Sequence, residues 1–129
     1  MLTSDLDTTR IAIIGPGRLG TAFAYKFGRD NKRVAIYYHD AEVCKAINRD
    51  HLNPLHLTED LANRLGGMEK VPRLADKVYA TNDLEHIVEN NDFIVLTITM
   101  NRLPEFLNYL KPMIDKKAGD TCLISPIKG

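Results

Sequence analysis

The stretch Arg10-Ile-Ala-Ile-Ile-Gly-Pro-Gly-Arg-Leu-Gly-Thr-Ala-Phe-Ala24 opens as a short apolar run, breaks into Gly15-x-Gly17-x-x-Gly20, and resumes with helical spacing. A strand, a glycine turn and a helix in that order are the context in which this spacing points to dinucleotide binding. Gly15 permits the tight turn off the strand, Gly17 lets the backbone approach a pyrophosphate, and Gly20 lets the helix pack closely on its strand. The first-turn N–H groups, those of Arg18 and Leu19 among them, lack intrahelical acceptors and lie at the positive end of the helix dipole, which suits a phosphate. Pro16 has no N–H and precedes the helix proper, where its fixed φ does no harm. Three glycines in six residues also occur in ordinary turns, so the weight comes from the neighbours. Ile11 to Ile14 precede them, the helix carries Leu19, Ala22, Phe23 and Phe27 on one stripe, and a second apolar run, Val34 to Tyr38, follows at βαβ distance.

Outward from this stretch, 129 residues at 44% hydrophobic composition suit one domain, residues 1–129, with a single core. Seventeen basic residues balance seventeen acidic ones, so no bulk field points to nucleic acid or an anionic membrane, and an anion site must be local. The polar, acidic N-terminus lacks the pattern of a signal peptide, and the longest apolar runs are strand-sized; the expectation is a cytoplasmic protein without a membrane span. Cys44 and Cys122 have no close partner motif and read as buried core thiols in a reducing compartment. The histidines, His39, His51, His56 and His86, are scattered without metal-ligand spacing, so no metal site is expected.

Along the chain, Gly28 reads as the C-cap of the first helix, and Asn31 as a turn residue. A second helix opens at Asp40, with Val43, Ala46 and Ile47 inward. Between Asn48 and Lys77 the pattern is irregular, with a short helix from Thr58 to Leu65. The 58–77 segment reads as an inserted helical excursion, with a lid over the cofactor as the sharper alternative. Val78 to Ala80 forms a third strand, and Asn82-Asp-Leu-Glu85 resembles a capping sequence for a helix carrying Leu84, Ile87 and Val88, which Asn90 to Asp92 stop. Phe93 to Ile98 is the continuous β-branched and aromatic run of a strand buried on both faces. Leu103, Phe106, Leu107, Leu110 and Ile114 mark a last helix that Pro112 is expected to bend or end near Leu110. Thr121 to Ser125 is the last strand. About five strands alternating with helices imply an α/β fold, a Rossmann-type doubly wound parallel sheet of order 3-2-1-4-5. Its ligand crevice lies at the carboxyl ends of the first and fourth strands, faced by the glycines and by Ile98 to Asn101.

Cofactor choice rests on the end of the second strand. An acidic residue about 20 positions after the glycines favours NAD, and a basic one accommodates NADP. Asp40 satisfies the first condition but is also explained as a helix N-cap, and His39 neither repels nor strongly binds a 2′-phosphate. The balance leans to NAD, with NADP open.

Taken together, Gly15-Pro-Gly-Arg-Leu-Gly-Thr-Ala22, Ile47-Asn48 followed by Asn53, Ala80-Thr-Asn-Asp-Leu84, Asp92-Phe-Ile-Val-Leu96 and Ser125-Pro-Ile-Lys-Gly129 resemble the N-terminal, cofactor-binding domain of the glycerol-3-phosphate dehydrogenase family. The resemblance runs over nearly the whole chain. It implies an oxidoreductase that transfers hydride between a nicotinamide cofactor and dihydroxyacetone phosphate or glycerol 3-phosphate, a small phosphorylated substrate. It also implies that Lys128, in the terminal Lys-Gly pair, faces both substrate and cofactor. His39 falls where many bacterial members carry Arg. The chain departs from the family pattern at Leu19, Leu57-Thr58 and Ile98-Thr99, and its 58–77 segment is longer. The family's second, all-helical domain supplies another lysine, most of the substrate pocket and usually a homodimer interface. The isolated chain is therefore expected to bind the cofactor with little or no turnover. The cofactor-binding residues expected are Gly15, Pro16, Gly17, Arg18, Leu19, Gly20, His39, Asp40, Ile98 and Lys128, with Lys128 catalytic. The alternatives are a stand-alone dinucleotide-binding module and the cofactor domain of another reductase of the same superfamily.

Overall fold

Ile11 and Ile13 point to one side of the first strand and Ala12 and Ile14 to the other, and all four are buried. That is the pattern of a central strand covered on both faces. The computed structural model describes residues 10–126 apart from 16, 31, 56–58, 100 and 118, with the backbone alone at 59–61. Five parallel strands, β1 (Arg10–Ile14), β2 (Arg33–Tyr37), β3 (Val78–Thr81), β4 (Phe93–Leu96) and β5 (Cys122–Ile124), lie in the order β3-β2-β1-β4-β5. The expected Rossmann-type order is therefore the observed one. Ile14 pairs with Tyr37 on one side and Leu96 on the other, so the strands end together at one edge of the sheet.

Helices α1 (Arg18–Arg29) and α2 (Ala41–Asp50) cover one face, where Ile11, Ile13, Val34, Ile36, Val78 and Val95 meet Ala24, Cys44 and Ile47. Between β2 and β3 the chain also forms α3 (Glu59–Leu65) and a 3-10 turn over Met68–Lys70, where Leu52, Ala62 and Val71 make a small separate core. Helices α4 (Leu84–Asn90) and α5 (Leu103–Lys116) cover the other face, where Ile14, Ile94 and Leu96 meet Ile87, Val88 and Leu110. Burial of each large aliphatic side chain contributes about 1.5–3 kcal/mol, and these two clusters hold most of them.

Several elements differ from what the sequence leads one to expect. On α1 the buried residues are Gly20, Ala24 and Gly28, while Leu19 and Ala22 are exposed. The helix lies so low on the sheet that only small side chains fit beneath it, and the stacked Phe23 and Phe27 rings pack at its flank. Gly28 is accordingly no C-cap. The helix continues to Arg29 with Asp30 as its cap, and a Cβ on Gly28 would stand 2.7 Å from Val78 Cγ2. Asn31 lies outside the described residues.

Pro112 does not end α5. The helix runs on to Lys116, because Met113 and Ile114 beyond the proline pack on the second core. The cap of α4 is Asp83, one residue later than the Asn82-led box, and its carboxylate accepts from His86 N. Asn91 ends that helix, its buried amide donating to Ile87 O at 2.9 Å. Cys44 is buried as expected, but Cys122 is exposed, because β5 is an edge strand whose three residues are all exposed.

Candidate dinucleotide-binding site

At the carboxyl end of β1 the chain turns sharply. Gly15 sits at φ +105°, a left-handed conformation that favours glycine, and its N–H donates to Tyr37 O at 3.1 Å. Gly17 is the N-cap of α1, and Thr21 N donates to its carbonyl at 2.9 Å to start the helix. A Cβ on Gly17 would meet nothing within 4 Å, whereas one on Gly20 would stand 2.1 Å from Gly15 O. The two glycines thus do different work. Gly20 is required by the packing of the turn on the helix, and Gly17 leaves open space at the helix end.

The start of α1 also carries no compensating acidic group of its own. Gly17 offers no side-chain cap, and no acidic residue lies in the first turn. By contrast α2 and α4 are capped by Asp40 and Asp83, and α2, α4 and α5 carry Glu42, Glu85 and Glu105 in their first turns. First-turn amides without a side-chain cap, at the positive end of a 12-residue helix and beside open space, fit a dinucleotide pyrophosphate. Arg18 and Leu19 stand exposed there, Leu19 at 42%.

The other walls come from neighbouring strand ends. Thr97 and Ile98 follow β4, with Ile98 half-buried against the second core. After β2 the half-buried Tyr38 and exposed His39 rings lie 4.3 Å apart. Asp40 Oδ1 accepts from Glu42 N at 2.9 Å and Val43 N at 3.5 Å, which is the N-cap role read from the sequence. Behind it, Cys44 Sγ donates to Tyr38 O at 3.5 Å, and burial pushes the Cys44 thiol and the Tyr37 hydroxyl up from their ordinary values.

Two contacts at this edge have no counterpart among the sequence-derived site residues. Asn53, 6% exposed, donates through Nδ2 to Thr21 Oγ1 at 2.8 Å and accepts from Leu55 N, which ties the segment after α2 to α1. Thr97 Oγ1 lies 2.7 Å from Ile14 O and 3.1 Å from Gly15 O, joining β4 to the glycine turn. The signal for Thr97 was a hydroxyl within an otherwise apolar run; Asn53 stood among the residues that carry the family resemblance, without a role in the site assigned to it. Gly15, Gly17, Arg18, Leu19, Gly20 and Ile98 come from the two strand ends at which the winding of the sheet reverses, and His39 and Asp40 follow β2 on the same edge. Pro16 and Lys128 lie outside the described residues. Among those residues no helix is long and apolar enough to cross a membrane, and no three His, Cys, Asp or Glu side chains gather as a metal site would need.

A parallel sheet of this order, with a glycine turn and an uncapped helix at its switch point, is a Rossmann-type nucleotide-binding unit. A family model described as NAD-dependent glycerol-3-phosphate dehydrogenase N-terminus matches residues 10–129, and the chain belongs to that family of NAD(P)-dependent dehydrogenases. It is 34% identical over 87 residues to a glycerol-3-phosphate dehydrogenase (NAD(P)+) of Treponema denticola, covering 67% of this chain and 21% of that protein. It is 42% identical over 72 residues to the protein of the same name in Rhodospirillum rubrum, covering 47% and 21%. The solved glycerol-3-phosphate dehydrogenase of Coxiella burnetii shares the fold with a TM-score of 0.74 at 20% identity, over 95% of this chain and 33% of that one. The chain thus spans about a fifth of those two curated relatives and a third of that structure.

Proposed function

We propose that this chain binds a nicotinamide dinucleotide across the carboxyl ends of β1 and β4, with NAD preferred over NADP, in support of hydride transfer between dihydroxyacetone phosphate and glycerol 3-phosphate. The observation that carries this reading is the start of α1, where Gly17 leaves open space before first-turn amides that neither a side-chain cap at Gly17 nor an acidic residue of the first turn compensates. The pyrophosphate is taken there by the backbone N–H groups of the first turn, with Arg18 beside it, and Ile98 gives an apolar wall at the end of β4. When bound, the nicotinamide supplies or accepts the hydride; the protein's part is to hold it and to exclude water.

The preference for NAD is supported by the Asp40 carboxylate. Only Oδ1 is engaged in capping α2, so negative charge remains at the end of β2, where it favours a ribose hydroxyl and opposes a 2′-phosphate. Lys128 is proposed to donate a hydrogen bond and positive charge to the substrate, on the strength of the Ile127-Lys128-Gly129 resemblance and of the family match reaching Gly129. The phosphorylated substrate, the homodimer and a cytoplasmic setting are carried with the same reading.

The test is a parallel titration of the purified chain with NADH and NADPH, following nicotinamide fluorescence and heat together. The expected result is saturable binding of both with NADH tighter, and no sustained turnover of dihydroxyacetone phosphate. No binding of either by a folded chain would remove the dinucleotide reading, and tighter NADPH would reverse the role given to Asp40.

A further inference from the structure

Thr97 is the one hydroxyl in the run from Phe93 to Ile98, and it stands where β4 meets the glycine turn. Its N–H donates to Ile14 O at 3.1 Å, and its Oγ1 lies 2.7 Å from that same carbonyl and 3.1 Å from Gly15 O. The single O–H proton is shared between the last carbonyl of β1, 83 residues away, and the first of the turn, 82 residues away, with the shorter contact to Ile14 O. The position of the oxygen is equally specific. It lies 3.2 Å from where a Cβ on Gly15 would stand and 2.9 Å from where one on Gly20 would stand. The notch left by these two glycines is filled by the Thr97 hydroxyl, not only by helix and strand closing on each other.

We propose that Thr97 is a positioning residue for cofactor binding: its hydroxyl pins the Gly15 turn to β4 and so sets where Gly17 and the first amides of α1 stand relative to the sheet. This rests on the dinucleotide reading above. The turn needs such a pin. Gly15 at φ +105° has the widest conformational freedom of any residue type, and the turn must present its amides in one arrangement before the ligand arrives. A hydroxyl fixed from a different strand restricts that freedom without occupying the open side of Gly17. Ile98, the next residue, lies with its Cγ2 3.7 Å from the same Gly15 Cβ position, so the pin also carries the apolar wall of the crevice to a set distance from the turn.

The experiment compares the chain with Thr97→Val, which keeps the branched shape and loses the hydroxyl, and Thr97→Ser, which keeps the hydroxyl. NADH affinity is measured by titration, and amide exchange at Gly15 and Gly17 is followed by NMR without ligand. One lost hydrogen bond predicts about five- to tenfold weaker NADH binding and comparably faster exchange in Thr97→Val, with Thr97→Ser within about twofold of the parent on both counts. Parent-like affinity and exchange in a folded Thr97→Val, or a Thr97→Ser as impaired as Thr97→Val, overturns the proposal. If the parent itself binds no NADH, the dinucleotide reading fails and the cofactor role of Thr97 with it. If the parent binds and only the Thr97 variants behave alike, the failure belongs to this inference alone.

Discussion

A methyl group on Gly20 would stand 2.1 Å from the carbonyl oxygen of Gly15, closer than any real contact allows, and that oxygen belongs to a turn also held by Thr97. The helix and the turn are therefore in contact at a point where neither has room to yield. Gly17, two residues into the same motif, has nothing within 4 Å of its Cβ position.

Gly20→Ala and Gly17→Val are accordingly expected to fail in different ways. Gly20→Ala should lower stability by about 3 kcal/mol or more, since a backbone atom must move. Gly17→Val should change stability by about 1 kcal/mol or less, because φ −68° is open to any residue, yet abolish cofactor binding by obstructing the pyrophosphate. Thermal melts and NADH titrations of the two variants separate these outcomes, and a folded Gly17→Val with parent-like affinity would take the glycine turn out of the site.

The side-chain amide of Asn48 binds β3 as a neighbouring strand would, accepting from Ala80 N at 2.7 Å and donating to Ala80 O at 2.9 Å. It closes part of the free edge of the sheet and fastens α2 to it. Asn48→Ala should lower stability by about 1–3 kcal/mol in chemical denaturation, because the buried Ala80 N–H and C=O lose their partner together. A change below about 0.5 kcal/mol would mean that water replaces the amide without loss.

Pro112 is exposed in the interior of α5, where a proline removes one helical hydrogen bond. Pro112→Ala should therefore raise stability by about 1–3 kcal/mol. An unchanged or lower melting temperature would show that the packing of Met113 and Ile114 is adapted to the proline's geometry.

Burial raises the Cys44 thiol and the Tyr37 and Tyr79 hydroxyls above their ordinary values. A group raised on folding stabilises the native state fully below its unfolded value, and that contribution is lost as pH rises through the folded value. Stability should thus be insensitive to these groups up to about pH 8 and fall above about pH 9 to 10, in the alkaline range only. At pH 8 a thiol reagent should modify exposed Cys122 promptly and buried Cys44 only on unfolding. Equal rates at both thiols would contradict the burial of Cys44.

The parallel sheet, its order, the glycine turn and the Asp40 cap were legible in the residues themselves. Each rests on local chemistry: continuous apolar runs for strands covered on both faces, glycine spacing for the turn, a carboxylate ahead of a helix for the cap. Gly20 was read as the point where α1 meets its strand, but which other residues of the helix share that side was not legible. Hydrophobicity favours Leu19 and Ala22 inward, but the depth of the helix on the strands admits only Gly20, Ala24 and Gly28, and depth is a tertiary quantity. The passage of α5 through Pro112 and the exposure of Cys122 were likewise decided by what lies against each segment, a core cluster in one case and a sheet edge in the other. The same holds at the site. The sequence by itself determined a glycine turn at the head of a helix, because glycine spacing and helix polarity are local. Only the folded chain decided that Thr97 fills the notch between Gly15 and Gly20 and that Asn53 reaches Thr21, since each contact joins residues more than thirty positions apart and depends on how closely separate elements pack.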